Sequence, residues 1–512
     1  MSKRSQVVGL LLLALLLPGC TAPAPSSPPA QSAATTGSAA SASAEPHGWL
    51  GTETIKTRLG DFEFKGGYPT PSTATSLQDQ LTFNRAIETY LVQMPAVAVI
   101  EQRRGMAAFG AKSATDVIIW EHLLDAKTLL LTANTETVYG MGFLYLKADG
   151  PTVVEAPPRM LGLAMDTLQR YLVDIGPLGP DKGKGGKYLF LPPGYTGSIP
   201  PGYFVVKSPT FSVTYGVRGF LVDGKPDTAV GLMKQLKVYP LAKASAPAAM
   251  NFLDGSGKDV DTLHSDNFSF FEALAKLVDE EPTDVFTPME RFYMRAIGIE
   301  KGKPFAPDAQ RKTLLSDAAR VAGAMARANS FASADRGTYF YPDRQWQYMG
   351  DAPYDFMKDG VLEIDRRAYL YYMALGNSPA MMEKNVGVGS YYLWAYRDAA
   401  GQPLEGSKSY RLRIPANVPA KDFWSVLVYD ALSRSQLQNG QKFPSVSKYT
   451  GPKANADGSV DVYFGPEMPA GQEKNWIRTV PGRGWFPMVR FYGPQPPLYD
   501  QTWKLPDVEA LK

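Results

Sequence analysis

The chain has 512 residues, 44% of them hydrophobic and 20% charged. That is an ordinary globular composition, too long for one hydrophobic core, and it excludes a wholly disordered chain. With 53 basic against 50 acidic side chains the net charge is +3, or +1 without Lys3 and Arg4, so the one-sided basic field of a nucleic-acid binder is absent and no nucleic-acid partner is expected. Cys20 is the only cysteine, which excludes internal disulfides and thiolate metal sites.

Lys3 and Arg4 precede an apolar run over residues 7–17, a stretch of signal-peptide length and too short to span a bilayer. It ends in Leu17-Pro18-Gly19-Cys20, which resembles the bacterial lipobox, where cleavage precedes a cysteine that receives a lipid. Residues 1–19 are therefore expected to be a lipoprotein signal peptide and Cys20 a lipidation site, with the membrane as partner. Thr21 stands where inner-membrane retention in similar lipoproteins uses Asp, so the outer membrane is favoured in a host with two. Residues 20–46 (from Cys20, then TAPAPSSPPA onward) contain no large apolar side chain and read as a disordered tether reaching ~30 Å.

The folded body reads as mainly β, two jelly-roll-like β-sandwich domains with N-terminal and central helices. An N-terminal β-domain with leading helices is expected over 75–240. Its first helix is capped by Thr75 or Ser76, carries Leu77, Leu81, Ile87, Leu91 and Met94 at helical spacing, and is disturbed at Pro95, with a second helix to Met106. Segments 128–131, 138–146, 152–155, 188–191, 203–207 and 211–221 are short, rich in β-branched and aromatic residues, and separated by Gly/Pro turns. This is the pattern of an antiparallel sheet system. A helical connector follows over 241–389, with helices over 268–278 (capped by Ser265 or Asp266), from Pro307-Asp308 to about 329, and over 364–375. Strands return over 391–396, 410–414, 423–429, 460–464 and 487–492, forming a C-terminal β-sandwich over 390–505.

Three stretches resemble bacterial proteins that pair domain-of-unknown-function family 1254 with family 1214. The first is Asn134-Thr135-Glu136-Thr137-Val138-Tyr139, followed by a glycine-rich turn (Gly183, Gly185, Gly186) and Lys187-Tyr188-Leu189-Phe190-Leu191-Pro192-Pro193-Gly194. The second is Ile297-Gly298-Ile299-Glu300-Lys301-Gly302-Lys303-Pro304-Phe305. The third begins at Tyr391-Tyr392-Leu393-Trp394-Ala395-Tyr396, passes through Phe423-Trp424-Ser425, Tyr429-Asp430 and Asn455-Ala456-Asp457-Gly458, and ends at Arg490-Phe491-Tyr492-Gly493-Pro494. Glu136 departs from the aspartate of the family's signature. The resemblance implies paired β-domains joined by helices in an exported protein, and no established reaction.

Candidate chemistry is sparse. His47, His122 and His264 lack zinc-site spacing, no metal or cofactor is expected, and there is no G-x-S-x-G elbow. Ser445-Val446-Ser447-Lys448 matches S-x-x-K without companion motifs. Residues 183–187 read as a solvated hairpin turn or an anion cradle, and residues 254–261 as an acidic loop lacking EF-hand spacing. Asn134, Glu136 and Tyr139 form a polar cluster: Glu136 is the candidate catalytic acid or base, Asn134 and Tyr139 candidate ligand-orienting groups, with turn stabilisation as the structural alternative. Trp346 and Tyr348 lie in an aromatic loop that either stacks on a ligand, a glycan or another small molecule, or plugs a domain junction. Asp430 and Arg434 read as a buried ion pair. Two functions remain open: a surface-tethered envelope lipoprotein that binds a ligand or is structural, and an exported hydrolase or lyase centred on Glu136.

Overall fold

The structure, a computed structural model, describes residues 54–512; the expected signal peptide and tether, with Cys20 and His47, lie outside the described residues. Of the described residues, 54–73 form one compact unit and Ala74–Lys512 a second. In the first, the strands Thr54–Thr57, Gly60–Lys65 and Tyr68–Pro69 make an antiparallel meander with Phe62 buried. The apolar alternation in these strands is too slight to announce a sheet.

The helix Pro71–Phe109 runs unbroken through Pro95. The sequence suggested two helices, because proline removes a backbone donor and crowds the preceding turn. Two buried side chains dock on the backbone around it: Arg367 Nη1 donates to the Val92 carbonyl at 3.1 Å and Gln169 Nε2 to the Pro95 carbonyl at 2.8 Å.

The N-terminal sandwich packs a six-stranded sheet on a four-stranded one. The larger sheet runs, in spatial order, Asn251–Asp254, Asp116–Ile119, Thr137–Tyr145, Ser212–Phe220, Met160–Asp166 and Tyr171–Ile175. The smaller runs Phe204–Lys207, Gly186–Leu191, Thr152–Ala156 and Lys237–Pro240. Val138, Val213 and Val217 from one sheet share a core with Val154, Phe190 and Val238 from the other. The C-terminal sandwich pairs Ser390–Trp394, Trp485–Pro494, Ala420–Asp430 and Ser445–Ser447 with Trp476–Arg478, Val460–Gly465, Tyr410–Ile414 and Glu509–Ala510. The chain is thus mostly β, with open sheets and packed helices.

Three corrections to the sequence reading have local causes. The sheets are not purely antiparallel: Phe204–Lys207 with Gly186–Leu191, Asn251–Asp254 with Asp116–Ile119, and Val460–Gly465 with Trp476–Arg478 run parallel, because their connections cross over instead of turning back. Residues 128–131 are no strand, since their backbone is taken up by the neighbouring 258–262 loop, as in Leu129 N to Val260 O at 2.9 Å. The helix Phe268–Glu280 is capped by Asn267, whose side chain accepts from Ser269 N; Asp266 instead accepts from Tyr90 Oη at 2.6 Å.

Four helices, Pro71–Phe109, Phe268–Glu280, Ala309–Phe331 (capped by Asp308) and Ile364–Met373, form a further core. That core also takes Tyr392, Trp394, Tyr429 and Met488 from the outer face of the C-terminal sheet. Both faces of the strand Trp485–Pro494 are therefore buried along its whole length, and the polar-out alternation of a half-exposed strand disappears.

Candidate functional site

Strand register assembles the site. Tyr139 and Arg218 are register partners on adjacent strands of the N-terminal sandwich, and Tyr392 and Arg490 are register partners in the C-terminal one. Side chains alternate between faces along a strand. Val213 and Val217 therefore enter the first core while Thr214, Gly216 and Arg218 face outward, and Leu393 and Val489 enter the second core while Tyr392 and Arg490 face outward. These outward faces, with residues 130–133 and 373–376, line a cavity of about 120 Å³. Six of the chain's 18 methionines line it, Met141, Met165, Met349, Met373, Met381 and Met488, giving an apolar wall that adapts its shape.

Arg490, 3% exposed, donates from Nη2 to Tyr429 Oη at 2.8 Å and to the Thr132 carbonyl. Its guanidinium lies 4.8 Å from the Tyr392 ring centroid. Arg218 Nη1 lies 3.5 Å from Tyr392 Oη, across the junction of the two sandwiches. The groups that act most on these two cations are phenols, Tyr392, Tyr492 and Tyr139 for both and Tyr429 for Arg490, and the Glu136 carboxyl also feels the charge of Arg490. Among the described residues neither arginine belongs to an ion pair. A buried guanidinium such as Arg490 with no carboxylate in contact is costly and calls for a negative partner, and the half-buried Arg218 adds a second cation beside it. Arg490 Nε, Trp394 Nε1 and Tyr215 Oη, all on residues of the cavity wall, have no hydrogen-bond partner among the described residues, although buried donors are nearly always satisfied.

The phenols divide by environment. Burial pushes Tyr492 well above its ordinary ionisation. Burial opposes ionisation of Tyr392 as well, but Arg218, Arg490 and the hydroxyl of Ser390 outweigh it and hold this phenol below its usual value. Ser390 Oγ and Tyr392 Oη are in short hydrogen-bond contact. Thr132, on the cavity wall, has φ of +41°, rare for a β-branched residue. It is pinned by Thr132 N to Arg434 O at 2.9 Å and Thr132 Oγ1 to Met373 O at 3.0 Å.

The cluster seen in the sequence is real but stands mostly behind this wall. Asn134 Nδ2 donates to Tyr139 Oη at 3.0 Å and Tyr492 Oη at 2.6 Å, while its Oδ1 accepts from Glu136 N, Thr137 N and Thr137 Oγ1. Asn134 thus orients two phenols and closes its own turn. Glu136 is buried and accepts from Thr135 Oγ1 at 2.7 Å. Burial raises its carboxyl, opposed by Thr135 and the charge of Arg490. Tyr139 lines the cavity; Glu136 does not.

Trp346 and Tyr348 sit inside the C-terminal core, Trp346 donating from Nε1 to Pro506 O at 2.9 Å and Tyr348 meeting Phe340 edge-on. Neither reaches the cavity, though their neighbour Met349 does. Asp430 pairs with Arg483 at 2.9 Å and not with Arg434, whose side chain turns inward to the Tyr372 carbonyl and stacks on the Tyr372 ring. Residues 182–185 form a turn into the strand Gly186–Leu191. Asp254 caps its own loop, accepting from Ser256 N and Glu121 N. Among the described residues no group of three His, Cys, Asp or Glu side chains is placed to hold a metal ion.

A pair of β-sandwiches with a shared arginine–tyrosine cavity defines the class of protein. Residues 115–240 match a family described as a protein of unknown function (DUF1254), and residues 389–496 match one described as a protein of unknown function (DUF1214). The chain carries the two in that order, as the sequence motifs led us to expect. Tyr139 and Arg218 fall in the first matched span and Tyr392 and Arg490 in the second, so each span carries half of the site. Among solved structures, the chain is similar to the VPA0106 protein from Vibrio parahaemolyticus, with TM-score 0.52 and 18% identity over 84% of this chain and 100% of that one. At that identity the likeness shows a shared fold. An uncharacterized protein from Burkholderia cenocepacia aligns over 86% of this chain and 96% of its own, with 14% identity and TM-score 0.38. No curated protein matches the chain.

Proposed function

We propose that this chain is a lipid-anchored cell-envelope protein whose folded body captures a small, mostly apolar molecule bearing one acidic group. One observation carries the binding reading: Arg218 and Arg490, neither in an ion pair among the described residues, converge on a methionine-lined cavity between the two sandwiches. An apolar cavity with a few convergent polar groups is the usual form of a small-molecule site. The ligand's acid group would meet the guanidiniums and its body the thioethers. The anchor reading rests on the lipobox-like Leu17-Pro18-Gly19-Cys20, with the outer membrane favoured by Thr21. A glycan fits less well than a small apolar acid, because Trp346 and Tyr348 are committed to the core.

Thermal denaturation of the full chain in detergent, with benzoic acid against toluene, tests the binding reading. A ligand at 100 times its Kd adds about 2.7 kcal/mol. Stabilisation by the acid that disappears in Arg218→Gln supports the proposal; equal stabilisation by both compounds, or by neither, rejects it. The second reading, an exported hydrolase or lyase centred on Glu136, draws support from the buried carboxyl whose ionisation is raised, as a general acid requires.

A further inference from the structure

We propose that Tyr392 is the proton acceptor of this cavity: its oxygen, which meets Arg218 while Arg490 stacks on its ring, removes a proton from a weakly acidic O–H or C–H of the bound molecule. This rests on the cavity being a binding site and deepens that reading by naming the form in which the ligand enters, a neutral weak acid such as a phenol or an enolisable carbonyl compound.

The geometry is unusual in one respect. Tyr392 Oη lies 3.5 Å from Arg218 Nη1, and the Arg490 guanidinium lies over the Tyr392 ring, so one phenol faces two cations from two sandwiches. Ser390 sits two residues back on the same face of the same strand, within hydrogen-bond reach of the oxygen. The other titratable groups near it are Tyr492, whose ionisation burial opposes, Tyr139 opposite Arg218, Tyr429 and Glu136 on the far side of Arg490, and Asp174, which lines a narrow recess shared with Arg218 and Ser390. Of these, Tyr392 is the phenol whose surroundings favour the charged form.

The step balances without a co-reactant. Tyr392–O⁻ and H–A become Tyr392–OH and A⁻: the O–H bond of the tyrosine forms as the H–A bond breaks, and the electron pair stays on A. The charge inside the cavity does not change, two guanidiniums and one anion before and after. In a low-dielectric site such a transfer avoids the penalty of creating or burying new charge. The new anion inherits the two guanidiniums, already oriented for it, which is the arrangement that stabilises enolates and other oxyanions. Entry of a ready-made anion beside Tyr392–O⁻ would instead require uptake of a proton from solvent.

Two measurements on the full chain decide it. The first is a near-ultraviolet titration of tyrosinate in the wild type and in Tyr392→Phe. One phenol ionising ahead of free tyrosine, and missing from the variant, is expected; superimposable titrations overturn the proposal. Where Tyr392→Phe does not fold, Arg218→Gln serves, and a delay of that early ionisation is expected. The second uses 4-fluorophenol at a pH where Tyr392 is ionised and the free probe is not. Fluorine NMR is expected to show the bound probe as its anion, with calorimetry in buffers of different ionisation enthalpy showing no proton exchanged with solvent. A probe bound as the neutral phenol, or a proton appearing in the buffer, overturns the acceptor role. Fluorobenzene, which has no acidic proton, separates the two ideas. If it binds while 4-fluorophenol stays neutral, the cavity reading stands and only the acceptor falls; if neither binds, the binding reading falls and the acceptor with it.

Discussion

Arg490 stacks its guanidinium on Tyr392, its register partner, and reaches past it to the carbonyl of Thr132 in the other sandwich. Arg218 makes the mirror approach with one hydrogen bond, 3.5 Å long, to the same tyrosine. The two cations are alike in charge and unlike in structural duty. Arg490→Met strands a buried carbonyl and a phenol, and is expected to cost about 2–3 kcal/mol. Arg218→Met removes a half-buried cation that little holds, and is expected to change stability by less than about 1 kcal/mol, or to raise it. Binding of a small acid should fall at least about tenfold in both. Denaturant midpoints and calorimetric titrations of the two variants read these effects, and equal destabilisation by both would contradict the asymmetry.

Asp174 supplies a pH signature. Burial pushes its carboxyl up to about 6 from the ordinary 3.8, opposed by the nearby Ser378 and Tyr171 hydroxyls, and among the described residues Oδ1 has no hydrogen-bond partner. A carboxyl whose folded value is raised binds more protons folded than unfolded between these values. Its contribution to stability therefore falls as pH rises from about 4 to about 6, by roughly 3 kcal/mol in all. His264 acts in the opposite direction. Burial pushes it down to about 4, so its contribution is lost as pH falls below its ordinary 6.5. The bulk curve mixes the two, and the difference between wild type and Asp174→Asn isolates the first. The variant is expected to be more stable at neutral pH and to lose that advantage below about pH 4. A pH-independent difference would rule out a raised carboxyl.

Glu136→Gln bears on the site that the sequence itself displayed. The substitution keeps the shape but replaces one acceptor oxygen with a donor facing Thr135. A stability loss of about 1–2 kcal/mol with unchanged small-acid binding would assign Glu136 to the turn. Intact folding with lost turnover, once a substrate is known, would assign it to chemistry.

Asn134, Glu136 and Tyr139 were legible because they crowd within six residues, and the two sandwiches because their strands and turns carry short-range signals. Arg218 and Arg490 were not legible, although Arg490 and Tyr392 both lie in motifs of the family resemblance. Their partnership arises from register between strands about a hundred residues apart, and from a junction that brings in a strand of the other sandwich. The usual cue, polar residues alternating outward, was erased because the outer faces of these sheets are buried beneath helices and one another. Trp346 misled for a related reason. A tryptophan in a Gly/Pro-rich loop resembles a ligand platform until the chain folds Pro506 over its indole N–H.

The N-terminal motif makes a prediction independent of the cavity. With one cysteine in the chain, Cys20→Ala removes the only acceptor for a lipid thioether. Stable anchoring by two or three acyl chains rests on about 0.8 kcal/mol per buried methylene. The variant is expected to leave the membrane fraction on cell fractionation, while the wild type stays and incorporates radiolabelled palmitate. A variant that remains membrane-bound would refute the lipid-anchor reading.

Two glycines on the cavity wall separate packing from occupancy. A Cβ on Gly162 would lie 2.3 Å from the Gly216 carbonyl oxygen and 2.9 Å from Val217, against backbone that cannot move without opening the sheet. A Cβ on Gly216 meets nothing closer than Met141 Cγ at 3.9 Å. Gly216 shares the outward face of its strand with Thr214 and Arg218, so a side chain there grows into the cavity. Gly162→Ala is therefore expected to destabilise by about 1–3 kcal/mol through overpacking. Gly216→Ala should fold normally, and Gly216→Leu should fill the space that a ligand needs. The decisive comparison is Gly216→Leu against wild type in the benzoic acid denaturation experiment. A folded Gly216→Leu protein that no longer responds to the acid places the site in this cavity, because the substitution leaves both arginines in place. A folded variant that responds as the wild type does would move the binding site elsewhere.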